Sequence, residues 1–120
     1  MTRRIAILTQ LAAATPAAAD SKPLACNMKA LTTEQRTEHA KRSKLLFRSI
    51  QSRKELPDGY AFRLDPSAIP IEEAARWIAL ERLCCPFLHF GLDIDAATIS
   101  LRLTGPSGVK EFLRLELSLQ

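Results

Sequence analysis

Apolar and polar residues along the chain repeat with two different periods. At residues 30–51 and 71–85 the apolar positions recur every three to four residues, which predicts two amphipathic helices. Thr32 and Gln35 precede the first apolar stripe with the spacing of a capping box, which starts a helix. The same period returns at Val109 and predicts a final helix.

Three short runs between the helices alternate apolar and polar residues, as in strands with one buried face. A turn at Pro57-Asp58-Gly59 separates the first helix from the first strand, because proline fixes φ and the next two residues favour turns. The core-facing positions of the three strands are Tyr60, Phe62 and Leu64; Leu88, Phe90, Leu92 and Ile94; and Ile99, Leu101 and Leu103.

These elements predict an α+β fold with the order α-β-α-β-β-α. The last two strands form a hairpin, so the expected product is a three-stranded sheet with helices packed on one face, in two layers. A length of 120 residues suits one domain, which we place at residues 23–120.

Residues 1–22 have the composition of a secretory signal or of a disordered tail. Two arginines come first, an apolar stretch follows at residues 5–14, and three alanines precede Asp20. A signal predicts export, with a mature chain that starts near Asp20 in the oxidising bacterial periplasm. The alternative is a disordered alanine-rich tail on a cytoplasmic protein.

The net charge of +4 does not by itself identify a partner. Much of the excess lies at residues 36–54, where it is typical of the solvated face of an amphipathic helix. The sequence contains no nucleic-acid-binding motif, so no nucleic-acid partner is predicted. No apolar run approaches the length of a membrane span, so we expect no integral membrane segment in the mature chain.

The candidate metal-binding or redox residues are concentrated where the second helix ends, in the stretch ALERLCCPFLHF. Cys84 and Cys85 are adjacent there, and Glu81 precedes them by three and four residues, which directs all three side chains to one region. Glu81 shares the buried stripe of Trp77, and a buried carboxylate needs a partner. Cys26, the third cysteine, precedes the first helix in a segment that is free to fold back onto this helix end.

Three main interpretations of the cysteines stay open, beside a fourth in which an enzyme uses the Glu81 carboxylate together with the thiols. Thiolates select soft or thiophilic ions such as Cu(I), Zn(II), Hg(II) and As(III), although adjacent cysteines lack the two-residue spacer typical of zinc sites. Alternatively, the protein is a thiol redox protein in which Cys84 and Cys85 form a disulfide or either pairs with Cys26. Thiolate catalysis is disfavoured because the helix C-terminus and Glu81 both raise a thiol pKa. Lastly, the cysteines are buried packing residues of a structural or partner-binding module.

Four stretches of the chain resemble a group of small bacterial proteins of unassigned function. The shared pattern is a cysteine, then LPDG followed by Tyr or Phe, then ERxCCPF, then LTGPxGxKEF, and it covers residues 24–117. In that group the early cysteine accompanies the adjacent pair. The resemblance therefore implies one shared site made of Cys26, Cys84, Cys85 and Glu81.

The sequence thus predicts ion binding and sequestration, as in heavy-metal resistance, and not enzymatic turnover. The predicted ligands of the Hg, As, Cu or Zn ion are Cys26, Cys84 and Cys85, with Glu81 and His89 in support. His39, at the edge of the first apolar stripe, is interpreted as an ordinary half-buried residue and not as a ligand.

Overall fold

The structure is a computed structural model that describes residues 24–117. The signal or tail predicted at residues 1–22 lies outside this range. Within it, no helix combines the length and apolar character that a membrane span requires. The elements in chain order are a 3₁₀ turn at Met28–Ala30, α1 at Thr33–Arg48, β1 at Ile50–Leu56, β2 at Gly59–Leu64, α2 at Ile71–Cys84, β3 at His89–Ile94, β4 at Ile99–Thr104 and α3 at Val109–Leu117.

Helix α1 starts with the predicted capping box and ends three residues early. The Gln35 backbone N–H donates to Thr32 Oγ1 at 3.1 Å, and the Thr32 N–H donates to Gln35 Oε1 at 2.9 Å. The helix ends at Arg48, and the hydroxyl of Ser49 donates to the Leu46 carbonyl oxygen at 2.6 Å. Such a side-chain bond competes with helix propagation, and the chain leaves α1 as a strand.

The sheet has four strands and not the predicted three, so the order of elements is α-β-β-α-β-β-α. All neighbouring strands are antiparallel, in the order β1-β2-β4-β3. The additional strand is β1, whose interior residues 51–55 are polar and exposed. The exposed side chains of such an edge strand show no apolar alternation, so the sequence pattern predicts no strand here.

The predicted turn at Pro57-Asp58-Gly59 is present, but it joins β1 to β2. Leu56 pairs with Gly59, which leaves Pro57 and Asp58 as the two turn residues. A Cβ at Gly59 would lie 1.9 Å from the Leu103 carbonyl oxygen. Glycine is therefore required here by the close approach of β4, and not by an unusual φ.

One face of the sheet carries the core and the other is solvated. The predicted core positions of β2 and β4 are buried, whereas Arg63 and Arg102 on the opposite face are exposed. On the edge strand β3 the two faces differ less in burial, because Phe90 and Leu92 are only partly buried and Ile94 is 45% exposed. The α+β class is confirmed, with one buried face of the sheet beneath the helices.

Trp77 of α2 is the central packing residue between α1 and the sheet. It is 1% exposed, and its ring meets those of Phe47 and Phe90 edge to face at 6.2 Å. Its indole N–H donates to the Ser43 hydroxyl at 2.9 Å, so the polar end of the ring is satisfied as well. This packing fixes the side of α2 that carries Glu81 and the cysteines against α1.

Candidate metal centre

The C-terminus of α2 places two sulfurs in the protein interior. The helix ends at Cys84, and the Cys85 N–H still donates to the Glu81 carbonyl oxygen at 2.8 Å. Pro86 follows, and its ring prevents the helix from continuing. Cys84 and Cys85 are 1% and 0% exposed, so both side chains belong to the core.

The N-terminal segment brings the third sulfur to the same place. Cys26 forms a disulfide with Cys85 across a sequence separation of 59 residues, with 4.5 Å between the two Cα atoms. Next to it, the Asn27 N–H donates to the Cys84 carbonyl oxygen at 2.7 Å. Of the disulfide pairings that the sequence left open, the structure contains Cys26–Cys85 and leaves Cys84 as the free thiol.

The three sulfurs form one compact cluster. Cys84 Sγ lies 3.8 Å from Cys85 Sγ, and the three Sγ atoms all lie within 4.8 Å of one another. The predicted convergence of Cys26, Cys84 and Cys85 is therefore confirmed, and the cluster has the donor set of a soft-metal site. In the bridged form two of its three sulfurs are joined to each other and do not carry thiolate charge.

Glu81 reaches both cysteine side chains of the helix end, as its spacing predicted. The Cys84 thiol lies 3.5 Å from the Glu81 carbonyl oxygen and 3.9 Å from carboxylate Oε1, while Cys85 Sγ is 3.3 Å from Oε2. Burial and the adjacent Glu81 carboxylate raise the pKa of Cys84 from 9.0 to about 11. In the absence of an ion, Cys84 is thus a neutral thiol at physiological pH.

His39 is the partner of Glu81, and the sequence analysis missed it. Its Nε2 lies 2.6 Å from Glu81 Oε1, and its ring stacks on Trp77 with 5.9 Å between the centroids. His39 is 3% exposed and therefore fully buried, not half-buried as expected. His39, Glu81 and Cys84 form a second group whose potential ligand atoms lie within 4.8 Å of one another.

A weak signal for His39 was present in the sequence. It precedes Ser43 by four residues and Leu46 by seven, so it lies on the face of α1 that packs inward. A histidine on such a face needs a polar partner, and Glu81 on α2 was the one buried carboxylate predicted from the sequence. The sequence does not show that α1 packs against α2, and this packing is what brings His39 to Glu81.

His89, the other predicted supporting residue, lies elsewhere. It is exposed at the start of β3 and borders a surface depression with Arg82 and Pro86. Neither group of potential ligands among the described residues includes it.

A cavity of about 220 Å³ adjoins the cluster. Cys26 and Cys84 border it together with Glu81 and His39, and most of its remaining walls are apolar. His39 Nδ1 is buried and has no hydrogen-bond partner among the described residues. The arrangement thus combines three sulfurs, a carboxylate–imidazole pair and an apolar recess in one place.

Comparison with known proteins assigns the chain to no family. No family model matches the chain, and neither the curated proteins nor the solved structures include a significant match.

Proposed function

We propose that the protein binds and sequesters a soft metal or metalloid ion through the thiolates of Cys26, Cys84 and Cys85. The observation that carries this proposal is the convergence of three sulfurs, from segments 59 residues apart, within 4.8 Å of one another. Metal–sulfur bonds of about 2.3 Å place the sulfurs of a three-coordinate site about 4 Å apart. Cys84 Sγ and Cys85 Sγ already have this spacing at 3.8 Å, whereas the bonded sulfurs of Cys26 and Cys85 must separate to reach it.

Binding requires the Cys26–Cys85 bridge to be reduced first, because ligation needs thiolates. A thiol or phosphine reductant supplies two electrons, and two protons from water complete the two thiols. Reduction then presents three thiols to the ion, whereas the oxidised protein presents only that of Cys84. The two redox states of one sequence differ in their ligand number and serve as a matched pair.

The Glu81–His39 pair supports proton release from Cys84. The pKa of about 11 keeps Cys84 protonated near neutral pH, so an ion must displace its proton on binding. Glu81 lies 3.9 Å from the thiol and shares its oxygen Oε1 with His39. This pair can accept the proton, and the positive ion offsets the negative charge that thiolates and carboxylate place in one buried volume.

The donor set favours Hg(II), As(III) or Cu(I) over Zn(II). Structural zinc sites use four ligands, commonly with two-residue spacers between cysteines, and the adjacent pair at the end of α2 does not supply that geometry. Three sulfurs without a nearby fourth donor of the same kind suit ions with lower coordination numbers and soft character.

Titration of the fully reduced and the fully oxidised protein with Hg(II), As(III), Cu(I) and Zn(II) tests the proposal. We expect one equivalent to bind the reduced form, as seen by native mass spectrometry, and affinity to fall at least about tenfold in the oxidised form. Cys84→Ser should weaken binding to the reduced form, because one of three sulfurs is lost. Equal stoichiometry and affinity for the reduced wild type and Cys84→Ser would refute the three-sulfur site.

A thiol redox protein is the second candidate, because the structure contains the Cys26–Cys85 bridge with a free thiol 3.8 Å from Cys85 Sγ. The raised pKa of Cys84 makes it a poor nucleophile at neutral pH and counts against this candidate. Alkylation of the oxidised protein at graded pH separates the two. Rapid labelling of Cys84 at pH 7, with exchange of the bridge, would favour redox function.

We also propose export to an oxidising compartment, which the bridge supports because structural disulfides persist there. The mass of the protein purified from its native compartment, with and without reductant, tests both removal of the N-terminal segment and the state of the bridge. A full-length, fully reduced chain would contradict export.

A further inference from the structure

The cavity beside the cysteine cluster differs from an ordinary ion site in being largely apolar. Its apolar lining comes from all three helices and includes Phe47, Trp77, Phe112 and Leu113. Two of the three cysteines, Cys26 and Cys84, border this space, whereas Cys85 does not. An inorganic ion alone would leave the recess unfilled, so its chemistry points to a ligand with an apolar part.

The cavity is large enough for a small organic group. An apolar cavity of about 150 Å³ in another protein binds benzene. The present cavity of about 220 Å³ therefore has room for a phenyl ring or a short alkyl group. Trp77 and Phe47 already meet edge to face, which leaves aromatic surface on the wall of the cavity.

We propose that the site takes a trivalent arsenical that carries one small apolar group, with arsenic bound to Cys26 and Cys84 and the organic group in the cavity. This inference rests on the proposed thiolate function and specifies its ligand class. Arsenic(III) with one carbon substituent can form two further bonds. This number matches the two cysteines that border the cavity, whose sulfurs lie within 4.8 Å of each other.

The binding step balances without any change in arsenic oxidation state. After a thiol or phosphine reductant has opened the Cys26–Cys85 bridge, R–As(OH)₂ and two thiols give R–As(S)₂ and two waters. Two As–O bonds and two S–H bonds break, while two As–S bonds form and each thiol proton leaves on a hydroxide.

The test compares methyl- and phenylarsonous acid on the reduced full-length protein, with dithiothreitol as a competitor that has two thiols and no cavity. Both compounds use the same metalloid chemistry and differ only in the organic group. Trp77, the single tryptophan, lines the cavity and reports binding through its fluorescence. We expect the ratio of phenyl to methyl affinity to be at least about tenfold larger for the protein than for dithiothreitol. Such a difference requires burial of roughly 55 Å² of additional apolar surface.

A pair of alanine substitutions localises the effect. Ala40 is exposed on α1 and borders the cavity, whereas Ala75 is exposed on α2 away from it. Ala40→Phe should reduce the phenyl preference at least about fivefold by occupying the recess, and Ala75→Phe should leave it unchanged. Arsenite, which has no organic group, should bind both variants as it binds wild type.

The outcomes separate this inference from the function beneath it. If the ratio of phenyl to methyl affinity is the same for the protein as for dithiothreitol, the cavity does not take the organic group. The inference then fails while thiolate binding stands. If arsenite and both arsenicals fail to bind the reduced protein, the proposed arsenic-binding function itself fails.

Discussion

Replacement of Glu81 by glutamine is the sharpest perturbation of the site, because it removes one charge with little change in shape. In the oxidised protein Cys84 is the one free thiol, so its ionisation can be followed alone. Burial is the main cause of its raised pKa and the Glu81 carboxylate is the next. Glu81→Gln should therefore lower the pKa of Cys84 while burial keeps it above the ordinary value of 9.0.

The size of the effect follows from the distance of 3.9 Å between Cys84 Sγ and Glu81 Oε1. Two unit charges about 4 Å apart interact by about 1 kcal/mol at the dielectric constant of water and by about 4 kcal/mol at an effective value of 20. One pKa unit corresponds to about 1.4 kcal/mol, so the lower limit is a decrease of about 0.7 in the pKa of Cys84. Since the full rise is from 9.0 to about 11 and burial is its larger cause, we expect the pKa of Cys84 to fall by about one.

Thiolate absorbance near 240 nm between pH 7 and 12, after subtraction of the Cys84→Ala protein, measures this pKa. Glu116→Gln is the matched control, because that exposed carboxylate also raises the pKa of Cys84 but is the smallest of its causes. Far-ultraviolet circular dichroism verifies that each variant is folded. An unchanged or higher pKa in Glu81→Gln would refute the electrostatic coupling on which the proton-release argument depends.

Three further predictions concern stability. Cys85→Ser should lower the free energy of unfolding by about 4 kcal/mol, the chain-entropy value for a loop of this length, and reduction of the Cys26–Cys85 bridge in wild type should match it in urea denaturation. Gly59→Ala should cost about 2 kcal/mol or more, because its Cβ would overlap the Leu103 carbonyl oxygen; a urea midpoint equal to wild type would contradict this. Wild type should lose stability as pH rises from 9.0 to about 11, since the unfolded Cys84 thiol ionises first, and Cys84→Ala should lack this component when midpoints at both limits are compared.

The sequence predicted most elements wherever burial imposes a period. Residues 60–64 and 99–103 alternate because only one face of the sheet is buried, and the 3–4 spacing at Phe112 and Leu113 reflects contact of α3 with the core. Strand β1 carries no such signal, since its side chains at residues 51–55 are exposed and the strand is defined by its pairing with β2. Apolar periodicity in the sequence therefore does not predict an edge strand of this kind.

The site was predictable to the extent that its residues are close in sequence. Glu81, Cys84 and Cys85 share one helix end, so helical geometry alone brought them together. His39 was missed because its partner lies 42 residues away and the contact depends on how α1 packs against α2. The choice of His89 as a supporting residue depended on proximity in sequence to the cysteines, which the turn at Pro86 converts into distance from the cluster.

The resemblance to small bacterial proteins stays a proposal, but each of its motifs now has a structural location. LPDGY forms the β1–β2 turn, where Gly59 lies against the Leu103 backbone of the LTGP motif. ERLCCPF forms the end of α2, and the early cysteine is bridged to it. Two contacts between motifs thus join segments of this chain that are distant in sequence.

The free-energy cost of burying Glu81 and His39 argues against the interpretation that the cluster only packs the core. Glu81 and His39 are largely withdrawn from water, with side chains 16% and 4% exposed, and the desolvation of such a pair commonly exceeds what its attraction returns. Apolar residues of similar size would fill the same volume without a thiol beside a carboxylate. They would also avoid a buried His39 Nδ1 that has no partner within residues 24–117. The disulfide explains how the segment at Cys26 is held, but it needs neither Glu81 nor Cys84. A bound cation would satisfy both, and this is the physical reason for placing an ion among the three sulfurs.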